Sequence, residues 1–143
     1  MIQFPLHFEV FAEADSDLTN AWKCQANALE PISCCIPPEF AGPGKSYTPE
    51  DFFAFSVINS IIAAFKIGCE KANQNFDKIK GKASLTMDLG PDNKLTFAAL
   101  DICLDVTGAS DKEKIKKILE EAISICPVSN AIKTPKTLHI QVN

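Results

Sequence analysis

Apolar and polar positions along this chain alternate at two different periods, and the switch between them predicts an α+β order. Phe4 to Ala12 and Ala21 to Ala28 read as strands joined by an acidic turn, Glu13-Ala14-Asp15-Ser16-Asp17. A third strand is expected to end at Cys34-Cys35-Ile36, because Pro37, Pro38, Gly42, Pro43 and Gly44 then break regular structure. Thr48 follows as a helix N-cap, with Pro49 at the first helical position and Asp51 completing a capping-box pattern. The helix is expected to run to about Asn73. Its residues Phe52, Phe55, Val57, Ile58, Ile61 and Phe65 leave no broad polar face, and a helix apolar all round must be covered all round. One small domain has few layers to do this, so the pattern asks for a partner subunit.

The second half repeats the alternation. Ala83 to Leu89 and Leu95 to Val106 flank the turn Gly90-Pro91-Asp92-Asn93 and predict a hairpin. Ser110, with Glu113 three residues on, is expected to cap a second helix whose inner stripe is Ile115, Ile118, Leu119, Ala122 and Ile123. Lys112, Lys114, Lys116 and Lys117 alternate with Glu113, Glu120 and Glu121, which describes a solvated helix face rather than a basic patch. Pro127 stops that helix, a short one is expected over Val128 to Lys133, and Thr137 to Val142 reads as a closing strand.

Composition narrows the reading. With 143 residues, 46% of them hydrophobic, the chain suits one domain spanning 1–143 with a real core. A net charge of −4 and the absence of a basic arm argue against a nucleic-acid partner. All 14 positive residues are lysines; the chain has no arginine. Met1 to Phe11 lacks the basic start of a signal peptide, and Phe52 to Gly68, interrupted by Asn59, Ser60 and Lys66, is expected to fall short of a membrane span. A cytoplasmic protein without a membrane partner is the resulting expectation. The 6 cysteines form no Cys-x-x-Cys pair, and His7 and His139 stand near opposite ends, so neither a metal nor a cofactor is expected. Cys24, Cys69 and Cys103 read as small buried hydrophobes.

Cys126 precedes Pro127, at the expected start of the short helix, where the partial positive charge of a helix end favours a thiolate. On residues alone, a cysteine that merely caps a turn accounts for it better. Two segments change that preference. Thr48-Pro49-Glu50-Asp51-Phe52-Phe53-Ala54 at the helix start and Cys126-Pro127-Val128-Ser129-Asn130-Ala131 together resemble the two halves of the active site of the OsmC/Ohr family. Pro37 to Gly44 is similar to the loop that leads into that family's helix, and the element order agrees along nearly the whole chain. The resemblance implies an OsmC-like α+β fold, with antiparallel sheets wrapped around long central helices in an intertwined homodimer. It also implies thiol-dependent reduction of organic hydroperoxides in oxidative-stress defence, with a dithiol as reductant.

The chain departs from that pattern where the chemistry lies. The family's peroxide-reacting cysteine falls eleven residues after the helix-opening proline, a position held here by Ser60, while Cys126 keeps the resolving position. A hydroxyl cannot become a sulfenic acid. Glu50 matches the glutamate that in the family holds an arginine over the reactive sulfur, and lysine lacks that bidentate fork. Cys69, nine residues beyond Ser60, faces away and lies about 13 Å along the helix. Cys34 and Cys35 are the candidate substitute thiols, one of which would face the pocket. Ser60 sits in no Gly-x-Ser-x-Gly elbow, so a serine hydrolase is the weakest reading. The sequence thus leaves three functions open: a peroxidase run through Cys126 and another thiol, a non-catalytic binder of a hydrophobic small molecule or oxidised lipid, and a redox sensor through Cys126.

Overall fold

A computed structural model describes residues 1–143, which divide into two compact units, 1–52 and 53–143. In the first unit the acidic turn folds on its own carboxylates. Asp15 Oδ1 accepts from the Asp17 amide at 2.9 Å, and Asp17 Oδ1 accepts from the Thr19 amide at 2.8 Å. The Thr19 amide and hydroxyl together hold the Asp17 carboxyl below its ordinary value. The turn joins β1 (Val10–Glu13) to β2 (Trp22–Ala26), and β3 (Ile32–Cys34) completes an antiparallel sheet in that order. The first strand is therefore much shorter than its apolar pattern predicts: residues 4–9 lie outside the sheet, with Phe4 and Phe8 exposed.

After β3, a 3-10 turn over Pro38–Phe40 ends at Ala41 in the left-handed region, φ 63°. Gly42 lies so close to the Ile36 carbonyl that no side chain fits there. The loop then returns to the sheet, the Cys35 amide donating to the Tyr47 carbonyl at 2.8 Å. Thr48 and Asp51 form the expected reciprocal cap: the Thr48 amide donates to Asp51 Oδ2 at 2.9 Å and the Asp51 amide to Thr48 Oγ1 at 3.2 Å. They open α1 (Pro49–Lys71), 23 residues long.

Only one stripe of α1 is buried, formed by Val57, Ile58, Ile61, Phe65 and Cys69. Ile67 remains 56% exposed, so the chain covers one face of a helix whose pattern asked for more. By length and composition α1 is long and apolar enough to cross a membrane, which corrects the expectation that it falls short. The helix extends over 23 residues to Lys71, and over that length Asn59, Ser60 and Lys66 do not offset its apolar content.

The second unit is built on β4 (Lys78–Leu89), β5 (Leu95–Thr107) and β6 (Lys136–Val142) in that order, with α2 (Lys112–Ile125) and α3 (Pro127–Ala131) between β5 and β6. The hairpin turn falls where expected. β4, however, begins at Lys78 rather than Ala83: Lys78, Lys80 and Lys82 face outward, and Gly81 faces in without a side chain. A Cβ at Gly81 would lie 2.5 Å from Ile58 Cδ1, so the glycine makes room for α1. The helical crossover lets β6 join β5 in parallel, so this sheet is mixed where an antiparallel one was expected. Leu100, Ile102, Leu104 and Val106 line its inner face and share a core with the α1 stripe and with Ile115, Leu119 and Ala122 of α2.

Two local expectations are corrected. Asp111, not Ser110, caps α2, accepting from the Lys114 amide at 3.2 Å. Ser110 instead ties the chain before β4, accepting from the Asn75 amide at 3.0 Å and donating to Gln74 at 3.1 Å. Of the three cysteines read as buried, Cys69 is, Cys24 is half-buried and Cys103 is exposed. Position 103 falls on the outward alternation of β5, between buried Ile102 and Leu104.

Candidate functional site

α2 ends and α3 begins on a single residue, Cys126, at φ −61° and ψ 114°. Pro127 forces that junction: it has no amide to continue α2, and its φ suits the first position of α3. The junction turns the Cys126 side chain inward, where it is 0% exposed. Its thiol donates to Ser60 Oγ of α1 at 2.9 Å, across 66 residues of sequence. The sulfur also accepts from the Ser129 amide at 3.4 Å.

The turn is held from both sides. Lys136 Nζ, at the start of β6, donates to the Ser129 carbonyl at 2.7 Å, and Asn130 Nδ2 donates to the Ser124 carbonyl at 2.9 Å. Ser129 is itself buried, at 3% exposure. Ser60 is half-buried and borders the packed stripe. The two residues picked out in sequence as the reactive and resolving positions therefore meet, as one sulfur and one hydroxyl oxygen. A pair of this kind has a single sulfur and cannot close a disulfide within itself.

The other candidates lie in the first unit. Glu50, in the first turn of α1, has a buried Oε2 with no hydrogen-bond partner. This is the carboxylate for which the sequence supplies no arginine, and an unpaired buried carboxylate oxygen is costly to keep. Cys34 and Cys35 are both buried, at 3% and 0% exposure. Cys35 Sγ faces the carbonyls of Gly44 and Ser46 at 3.6 and 3.7 Å. Burial pushes the Cys34 thiol above its ordinary value, and negative charge at Cys24, Cys35 and Glu50 adds to the shift. A thiol held protonated is a poor nucleophile, so Cys34 is disfavoured as the substitute. The unit also carries an apolar cleft of about 430 Å³, lined by Val10, Cys24, Leu29, Ile32 and Phe52 among others.

Sequence reasoning quoted Ser129 only as part of a motif and missed Lys136. A single lysine at a strand start carries no signal of its own; only the fold brings it to the Ser129 carbonyl. No group of three or more His, Cys, Asp or Glu side chains is placed to hold a metal ion.

A family model described as OsmC-like protein matches residues 42–141. Among curated protein sequences none matches the chain. Solved structures do. An OsmC-like protein of unknown function from Vibrio cholerae superposes with a TM-score of 0.82 at 12% identity, over 95% of this chain and 99% of that one. An organic hydroperoxide resistance protein from Legionella pneumophila gives 0.75 at 15% identity, over 99% of each chain. One from Bacillus subtilis gives 0.67 at 18% identity, over 96% of this chain and 98% of that one. At these identities the likeness establishes the fold.

Proposed function

The chain belongs to the OsmC-like protein family, and from that premise we propose that it serves oxidative-stress defence as a relative of the thiol-dependent organic hydroperoxide reductases, with family-type peroxidase turnover impaired or absent. The observation that carries this reading is the 2.9 Å contact between Cys126 Sγ and Ser60 Oγ. In this reading Cys126, as the resolving thiol, faces the position where a sulfenic acid would form, but the residue there is a serine. Attack on a peroxide needs a thiolate, and resolution needs two sulfurs. Ser60 supplies neither. The partnerless Oε2 of Glu50 supports the same conclusion, since the charge that would hold it, and would polarise a peroxide, is missing from a chain without arginine.

The working form is a homodimer. Phe4, Leu6 and Phe8 stand exposed just before the first unit's sheet, Val10 is exposed at the start of β1, and Ile67 of α1 is exposed in the second unit. Apolar surface of this extent on an unassembled chain marks an interface. A second copy covering it gives the intertwined arrangement expected from the resemblance.

A second reading, a non-catalytic binder of a hydrophobic small molecule or oxidised lipid, is favoured by the apolar cleft beside Leu29 and Phe52. Consumption of an organic hydroperoxide with a dithiol reductant tests both. No turnover with the unmodified protein or with Cys126→Ser supports the impaired enzyme. Turnover that vanishes in Cys126→Ser overturns it and assigns the reaction to Cys126 with another thiol.

A further inference from the structure

The outer face of the second unit's sheet carries a cluster that the Ser60–Cys126 pair does not use. Cys103 is the exposed cysteine of the chain; the other five are buried or half-buried. It lies in the middle strand of the sheet, and its direct neighbours in register are Lys82 of β4 on one side and His139 of β6 on the other. Residues directly opposite in a sheet project to the same face, with Cβ atoms about 4.5–5.5 Å apart. A nucleophile is thus flanked by a proton acceptor and a cation. Lys80, Asp105 and Gln141 form the next row, and the cluster lines a groove of about 390 Å³.

We propose that this face is a thiol-exchange site centred on Cys103, taking small anionic disulfides. His139 removes the Cys103 proton, and the sulfur attacks one sulfur of the incoming disulfide. A new bond forms between Cys103 Sγ and that sulfur as the old S–S bond breaks. The released thiolate takes the proton from His139 and leaves as a free thiol. Cys103 is oxidised, the departing sulfur is reduced, and nothing else is consumed.

The product stays a mixed disulfide because no second cysteine lies on this face. The outward residues around it are Lys78, Lys80, Lys82 and Ser84 from β4, Asp101, Asp105 and Thr107 from β5, and Thr137, His139 and Gln141 from β6. Asp105 is engaged by Asn143 Nδ2 at 3.2 Å and stands opposite Lys80. Lys82, directly opposite the sulfur in register, is the cation nearest to it, and it selects for a carboxylate on the incoming molecule. Lys80, Lys82, Asp105, His139 and Gln141 bring charged and polar groups to the groove, which suits a small charged disulfide.

The full-length reduced protein is incubated with glutathione disulfide or with cationic cystamine and followed by intact mass and peptide mapping. A single adduct on Cys103, formed faster with glutathione disulfide, is expected. Lys82→Gln should slow that reaction about threefold, the effect of one unit charge at 6–7 Å in water, and should not slow cystamine. His139→Gln should slow exchange with both disulfides alike, and added imidazole should restore part of the rate; a merely structural role would show no such rescue. Adducts spread over other cysteines, or equal rates with the two disulfides, would overturn the proposal. Cys103→Ser, folded by circular dichroism and still labelled at the wild-type rate, would do the same.

Discussion

Replacing Ser60 by cysteine puts a second sulfur opposite Cys126, whose Sγ lies 2.9 Å from the present hydroxyl oxygen. A disulfide needs about 2.05 Å between sulfurs, so closure takes a side-chain adjustment of under an ångström or so. The bond would close a loop of 66 residues. In the chain-entropy account, a loop of that length removes roughly 15 cal/mol/K from the unfolded state, or about 4 kcal/mol at 25 °C. For a domain of this size that raises Tm by about 10–15 °C. The assay compares Ser60→Cys before and after one equivalent of an organic hydroperoxide, counting free thiols and recording Tm under non-reducing conditions. Loss of two thiols with a Tm rise of that order, reversed by a dithiol, is expected, together with a gain in hydroperoxide reduction over the unmodified chain. The missing arginine keeps that gain small. Two thiols that remain free after oxidation would refute the placement of Cys126, and a disulfide without a Tm rise would refute the loop-closure argument.

Burial raises both Cys34 and Cys69 above the ordinary value of 9.0. Above that pH the folded chain keeps protons that the unfolded chain has lost, so their contribution is complete below about pH 9 and declines as pH rises through the raised values. Urea midpoints at pH 8 and pH 10.5 should show the fall, and a Cys34→Ala, Cys69→Ala variant should show less of it; an equal fall in both would assign the effect elsewhere. Lys136→Met removes the 2.7 Å bond to the Ser129 carbonyl, costing about 1–2 kcal/mol, and should speed labelling of Cys126 by a small thiol reagent. Unchanged labelling would mean that Lys136 does not hold the turn. Ile67→Glu should shift the mass by light scattering from dimer to monomer, while a monomeric unmodified protein would end the dimer proposal.

The α+β order, the capping of α1 by Thr48 and Asp51, the hairpin turn after β4 and the break at Pro37 were legible in the sequence, because each depends on local chemistry within a few residues. The same is true of Cys126 at a helix junction, which Pro127 imposes on its own neighbour. The motif also named Ser60 and Cys126 as a pair. Their 2.9 Å contact depends on how α1 packs against the α2–α3 turn, which only tertiary structure decides. Lys136 reaches Ser129 because β6 starts beside that turn, a consequence of its parallel pairing with β5 that no local pattern carries. Gly81 carries no local signal of its role; only the packing of α1 on the sheet shows that it leaves the space Ile58 occupies. Cys103 read as buried because cysteine usually is, and the phase of β5 against its core put it outside, between Lys82 and His139. Sequence alone determined which segments are regular and where they stop, since hydrogen bonds and dihedral limits act over short range. Which side chains meet was left to packing, where the burial of one apolar stripe sets the position of every residue around it.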